Sequence, residues 1–243
     1  MILPAVGDTH QLETKVVIEP EAAADLKYAV EDTSVATVSE SGLLTAVKKG
    51  TTKVTVWDSR DESIKDEVTV IVPLYYEDFE DAVAAVWGDD SNRSANMAHS
   101  GTYSFATGAN LTRGNLVGDL SGKVISVWIY DPYEDAPEAA GFFGFRLNPW
   151  YGMRIVQNES YYMYRAGEGN VASAVERSKG WHEFKYVLSE ADATTGTIDC
   201  DMYIDGEFVF KLEKIDNPTN FRLYDLKEGI YVDDFMISQK SAD

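Results

Sequence analysis

Three arginines, Arg146, Arg154 and Arg165, fall close together around Trp150 and Tyr151. A guanidinium offers a planar fork of donors that can hold neighbouring sugar hydroxyls or a uronic carboxylate in paired hydrogen bonds. An exposed indole or phenol ring offers a flat apolar surface of about 150–250 Å² to the C–H face of a sugar ring. Side chains alternate along a strand, and this sorts the candidates. Arg146 and Asn148 oppose Phe143, Phe145 and Leu147, while Tyr161, Met163 and Arg165 oppose Tyr162 and Tyr164. Ser126, Trp128 and Tyr130 oppose Ile125, Val127 and Ile129, which places Trp128 and Tyr130 on an open concave sheet if the aliphatic side is core. Trp128, Tyr130, Arg146, Trp150, Tyr151, Arg154 and Arg165 are therefore the candidate ligand-binding residues, with a polysaccharide or oligosaccharide as the partner. Packing is the competing role for the aromatics, and ion pairs with Glu183 or Asp225 the competing role for Arg146 and Arg165. Trp181, Phe208 and Phe210 are expected in the core.

Carboxylates gather at two places, Tyr76-Glu77-Asp78-Phe79-Glu80-Asp81 and Tyr231-Val232-Asp233-Asp234-Phe235. If these segments are neighbouring strands, two carboxylate pairs lie side by side and repel unless a cation sits between them. Ca²⁺ takes six to eight hard oxygens and suits such a place, with carbonyls from the 96–104 stretch as further donors. Solvated strand ends are the alternative. Other chemistries lack their residues: no Gly-x-Ser-x-Gly elbow occurs, and Gly167-Glu168-Gly169-Asn170-Val171-Ala172 carries Glu168 where a phosphate would lie.

The composition excludes further classes. The chain has 243 residues, 44% hydrophobic and 26% charged, which is ordinary for a globular protein. With 21 Lys+Arg against 41 Asp+Glu the formal charge is −20, so phosphate backbones and anionic lipid are repelled at long range. Nucleic-acid and membrane partners are not expected; neutral glycans and cations are favoured. Cys200 is the lone cysteine and His10, His99 and His182 are scattered, so neither an internal disulfide nor a zinc site is expected. The opening Met-Ile-Leu-Pro-Ala-Val-Gly-Asp lacks the basic and apolar regions of a secretory signal. It reads as the start of a fragment excised from a longer protein, with an added Met.

The elements that must position these residues are strands. Lys15–Ile18, Val35–Val38, Lys53–Trp57 and Glu67–Val72 are short and rich in Val, Thr and Ile, with helical turns expected only at Glu21–Ala24 and Asp81–Val86. Aromatics become dense after Val72-Pro73-Leu74, which sets a domain boundary giving 1–73 and 74–243. About ten longer strands follow, with Asp205-Gly206 a strong hairpin signal. The strand pattern gives an all-β fold class, an N-terminal β-sandwich and a C-terminal jelly-roll sandwich.

The run Ser34–Val56, with Gly7-Asp8-Thr9, Glu19-Pro20 and Val68-Thr69-Val70, resembles the bacterial Ig-like group 2 domain of intimin- and invasin-type adhesins, with Tyr28 where the family usually has Trp. The resemblance implies an Ig-like fold for the N-terminal sandwich, a spacer domain and a secreted or cell-surface location. Phe79-Glu80-Asp81, Ser100-Gly101-Thr102-Tyr103-Ser104-Phe105 and Tyr231–Phe235 resemble concanavalin A-like carbohydrate-binding modules; Gly180-Trp181-His182-Glu183-Phe184 with Asp201–Glu207 resembles the laminin-G branch. By that similarity a structural Ca²⁺ would sit on Glu80 and Asp234, with Asp78, Asp81 and Asp233 as further ligands. Tyr162-Met163-Tyr164-Arg165-Ala166-Gly167 is similar to a strand of jelly-roll polysaccharide lyases, but their Gln-Ile-His and Arg-Ser/Thr-Glu strands have no counterpart. The paired carboxylates of concanavalin-type glycosidases are also missing. The expected function is non-catalytic glycan binding by a monomer within a larger multimodular chain, the alternative being a structural or adhesive surface or phage-tail module without a sugar ligand.

Overall fold

The computed structural model of the chain describes residues 1–15, 24–81, 87, 90–106, 118–135, 138–147, 149–227 and 229–240. Residues 21–23 and 82–86 of the turns expected at Glu21–Ala24 and Asp81–Val86, residues 16–18 of the strand expected at Lys15–Ile18, and Asn148 lie outside them. The chain divides into two compact units, Met1–Tyr75 with the chain end from Ser238, and Tyr76–Ile237. Both are all-β, an Ig-like domain followed by a jelly-roll sandwich.

In the first unit, β1 (Thr9–Gln11), β3 (Ala36–Val38) and β4 (Leu43–Ala46) form one three-stranded sheet, in the order β1-β4-β3. A second, in the order β2-β5-β6, contains β2 (Leu26–Val30), β5 (Gly50–Asp58) and β6 (Asp61–Val72). Leu3, Val35, Ala36, Leu44, Ala46, Val54, Val70 and Val72 make the buried core, with Val38 packed at its margin. Tyr28 is half-buried, its ring lying against Gly42 where a Cβ would come within 2.9 Å.

The second unit begins with β7 (Tyr75–Glu77), β8 (Arg93–Ser94), β9 (Ser104–Ala106) and β10 (Lys123–Asp131). Next come β11 (Gly141–Arg146), β12 (Trp150–Ile155), β13 (Tyr161–Ala166), β14 (Val171–Glu176) and β15 (Gly180–Leu188). The last are β16 (Thr197–Ile204), β17 (Glu207–Asp216), β18 (Arg222–Tyr224) and β19 (Tyr231–Gln239). The larger sheet runs β17-β16-β15-β10-β19-β9-β8, and β7 also pairs with β19, so the acidic first and last strands are neighbours as expected. The smaller sheet runs β14-β13-β12-β11-β18.

Alternation decides the core. Ile125, Val127 and Ile129 of β10 and Phe184, Tyr186 and Leu188 of β15 are fully buried, as are Phe143 and Phe145 of β11. The two sheets meet through Phe143 on Phe184, with ring centroids 4.9 Å apart, and Phe145 on Tyr186 at 5.5 Å. The buried Tyr186 hydroxyl donates to the Phe143 carbonyl and so satisfies its polar end inside this core. The hairpin between β16 and β17 turns at Asp205-Gly206, both at positive φ (51° and 81°), a conformation Gly adopts without steric cost. Two aromatics expected in the core are not buried there: Phe208 is 55% exposed beside this hairpin, and Phe210 is half-buried on the Tyr164 ring.

Candidate functional site

The outward face of the smaller sheet collects the arginines. Phe143 and Phe145 point into the core, so Phe142, Gly144 and Arg146 of β11 point out. Antiparallel pairing carries this choice to the neighbours. Gly144 stands opposite Gly152, and Gly152 opposite Arg165. On the other side Gly144 stands opposite Arg222. One row across four strands therefore reads Arg165, Gly152, Gly144, Arg222. The row on one side holds Met163, Arg154, Phe142 and Tyr224, and on the other side Arg146 faces Trp150. Four of the chain's eight arginines share this face.

The paired glycines are required by space. A Cβ on Gly144 would lie 2.3 Å from the Tyr151 carbonyl oxygen, and one on Gly152 would lie 2.2 Å from that of Phe143. Both would also come within 3.1 Å of the Phe142 ring, which occupies the room the glycines leave. Phe142 is nearly fully buried and forms the floor. Trp150 meets its edge at 5.1 Å between ring centroids and Tyr224 at 5.2 Å, and Arg146 lies 5.5 Å from the Trp150 ring. Trp150 remains half-buried and Tyr224 exposed.

No carboxylate is paired with these four arginines among the described ion pairs, so the pairing of Arg146 or Arg165 with Glu183 or Asp225 is not found. Asp225 is bonded instead to Lys227 at 2.7 Å. Arg154 donates to the Asn170 side-chain oxygen at 2.9 Å and Arg165 to the Gly167 carbonyl at 2.9 Å. The Nε atoms of Arg154 and Arg222 are buried without a hydrogen-bond partner. Burial, and next the charge of Arg165, hold the Arg154 guanidinium below its ordinary range, while Asp225 acts against this. Arg222 is lowered in the same way, by burial and then by Arg146. The face thus concentrates positive charge and leaves donors unspent.

The expected residues divide between two faces. Arg146, Trp150, Arg154 and Arg165 come together; Tyr151 does not join them, because it alternates with Trp150 and stands opposite the core residue Phe145. Trp128 and Tyr130 lie on the outward face of the larger sheet, so they do not share a surface with the arginines. There the His99 ring stacks on Trp128 at 3.7 Å between centroids, Trp181 meets His99 and Tyr130 edgewise at 5.7 and 5.6 Å, and Tyr231 meets Tyr130 at 6.1 Å. Trp181, expected in the core, is half-buried in this cluster. Arg222, Phe142 and Tyr224 were not singled out in the sequence. Alternation with the core residue Phe143 was the available signal for Phe142, while Arg222 and Tyr224 lie on a strand of three residues, too short to mark a face.

The acidic ends lie beside the Trp128 cluster. Tyr76 hydroxyl donates to Asp234, His99 Nδ1 is 2.6 Å from the same carboxylate, and Ser100 Oγ donates to it at 3.0 Å. Asp233 accepts the His99 and Ser100 amides at 2.8 and 3.3 Å; Glu80 accepts those of Thr102 and Tyr103 at 2.8 and 2.7 Å. Asp78 accepts the Glu80 amide at 3.2 Å, and Asp81 is exposed. Burial, followed by the charge of Asp234, pushes the Asp233 carboxyl up to about 7. Oxygens of Asp78, Glu80, Asp233 and Asp234 thus face N–H and O–H donors, and no group of three or more His, Cys, Asp or Glu among the described residues is placed to share a metal.

Residues 4–70 match the bacterial Ig-like domain (group 2) family. No curated protein matches the chain. Among solved structures the chain is similar to galectin LEC-6 of Caenorhabditis elegans, at 11% identity and a TM-score of 0.38 over 56% of this chain and 93% of that one. It is similar to an endo-β-1,4-glucuronan lyase of the fungus Trichoderma reesei at 13% identity and 0.43, over 69% and 96%. The Emp47p carbohydrate recognition domain aligns at 8% identity and 0.34, over 98% and 95%. Likenesses this distant assign neither a ligand nor a residue role. No helix among the described residues is long and apolar enough to cross a membrane.

Proposed function

We propose that the second domain is a non-catalytic glycan-binding module of concanavalin A-like, laminin-G-branch type, and that its site is the outward face of the smaller sheet. One observation carries this reading: four arginines without carboxylate partners among the described residues surround an aromatic floor of Phe142, Trp150 and Tyr224. Aromatic rings take the apolar face of a sugar, and guanidinium forks take its oxygens. A shallow face of this kind binds in the range of about 10 μM to 1 mM, or roughly −4 to −7 kcal/mol. Avidity among several modules raises the effective affinity.

Binding without turnover is supported by the residue types on the face. Glycoside hydrolysis uses two carboxylates, about 5–5.5 Å apart in retaining enzymes. The described strand positions here carry one carboxylate, Glu176, at the sheet edge and bonded to the Tyr161 hydroxyl at 3.2 Å. In the lyase-like strand Tyr164 stacks on Phe210 and so lies on the face opposite Arg165. The Ig-like domain is read as the spacer that presents the module from a secreted or cell-surface multimodular protein. Affinity electrophoresis through gels containing plant, algal and host polysaccharides tests the reading; retardation by a glycan class, lost in Trp150→Ala, supports it. A structural module without a sugar ligand is favoured by one observation, the closure of the Trp128 face by His99, and would show no retardation in any gel.

A further inference from the structure

We infer that this face selects an acidic glycan, one whose sugar units carry carboxylate or sulfate groups. The inference rests on the glycan-binding reading and adds the charge of the ligand. Net charge alone points the other way, since a chain at −20 repels polyanions at long range. The local arrangement is opposite in sign. Two arginines elsewhere are neutralised, Arg60 by Asp58 at 2.6 Å and Arg177 by a fork onto Asp131 with both bonds at 2.9 Å, while Arg93 donates to the Phe79 and Glu80 carbonyls. With 41 acidic residues in the sequence, none forms an ion pair on this face among the described residues.

Arg165 and Arg222 flank the glycine pair three strand spacings apart, roughly 14 Å at about 4.8 Å per strand. Arg154 and Arg146 occupy the rows on either side of that line. Each guanidinium has five N–H donors, and among the described residues Arg154 spends one on Asn170 and Arg165 one on Gly167. Hydroxyls of a neutral sugar would satisfy donors but leave the clustered positive charge uncompensated. An acid group supplies both acceptors and countercharge, with the shorter, stronger bonds of charge-assisted pairs. Aromatic rings between the arginines hold the sugar body, so the ligand is an acidic sugar chain and not a free anion.

The test pairs polymers that differ only in charge. The whole chain is run through gels containing polygalacturonate or its fully methyl-esterified, uncharged form, and in parallel dextran sulfate or dextran. Retention by an acidic polymer at least about tenfold stronger than by its neutral counterpart is expected, falling about tenfold in Arg165→Gln or Arg222→Gln with the thermal midpoint unchanged. Preference for polygalacturonate identifies carboxylate as the recognised group, and preference for dextran sulfate identifies sulfate. Equal retention by acidic and neutral partners of a pair would overturn the inference and leave the glycan reading standing. Retention by none of the four polymers would overturn the inference; the fate of the glycan reading then rests on the wider panel of plant, algal and host polysaccharides. Should the glutamine variants fail to fold, the acid-versus-ester comparison on the unaltered chain still decides.

Discussion

Trp150 and Trp128 differ in what covers them. Trp150 borders the arginine face with Arg146 beside its ring, whereas His99 lies flat on Trp128. Trp150→Ala is therefore expected to abolish glycan retention. Trp128→Ala should lower the thermal midpoint by removing the His99 stack and leave retention intact; the reverse pattern would place the site on the larger sheet. Asp233 gives a pH prediction. Its carboxyl is pushed up to about 7 in the fold, by burial first and then by Asp234, against about 4 in an unfolded chain. Between those values the folded state holds a proton that the unfolded state releases, so this group makes stability fall as pH rises from about 4 to 7. His182 acts in the same sense. Burial works against its protonation, but Asp205 at 2.6 Å raises its pKa overall, so its share is lost as pH rises through the folded value. The second domain should melt higher at pH 6 than at pH 8 in EDTA. A midpoint raised by Ca²⁺ would show that these carboxylates exchange their donors for the cation. Strand alternation made Arg146 and Arg165 legible in the sequence, and clustering with them marked Arg154. Arg222 was not, because β18 has three residues and too little pattern to mark a face.

The elements show where that legibility ends. Alternation tells which residues share a side of one strand but not which sheet the strand joins. Strands β10 and β11 follow one another in the chain yet belong to different sheets, so Trp128 and Arg146 face opposite ways out of the sandwich. The pairing of Gly144 with Gly152 depends on register, and a slip of one residue would turn every arginine of β12 or β13 inward. Gly144→Ala and Gly152→Ala should each cost about 1–3 kcal/mol or more, because the new Cβ meets backbone that cannot move without opening the sheet. Urea unfolding measures this, and an unchanged midpoint would contradict the register. Strands β10 and β14 are tied by Arg177, just past the end of β14, which is fully buried. It forks onto Asp131 and donates to the Val156 and Glu159 carbonyls at 3.0 and 3.1 Å. Arg177→Met leaves a buried carboxylate and two carbonyls unpaired, with an expected cost of about 3–5 kcal/mol by the same measurement.

At the scale of the whole molecule, short strands and a change in aromatic density near residue 74 suggested two domains, and the fold divides into compact units between Tyr75 and Tyr76, with the chain end from Ser238 joining the first. The Ser34–Val56 run was specific enough to mark the Ig-like domain, which the family match over residues 4–70 supports. Net charge and the local arginine face point to different ligands. A sum of −20 describes the far field, while the arginine face acts over about 8–10 Å, within a screening length at physiological salt. Raising salt should therefore weaken retention by an acidic polymer less steeply than four exposed contacts would suggest, since repulsion from the rest of the surface is screened as well. The central claim is that the outward face of the smaller sheet binds a sugar chain. Its most direct test is affinity electrophoresis of the intact protein beside Trp150→Ala and Arg154→Gln, across neutral and acidic polysaccharides. The account predicts retardation of the unaltered chain by at least one class and its loss in both variants. No retardation by any class, or retardation that both variants retain, would contradict it.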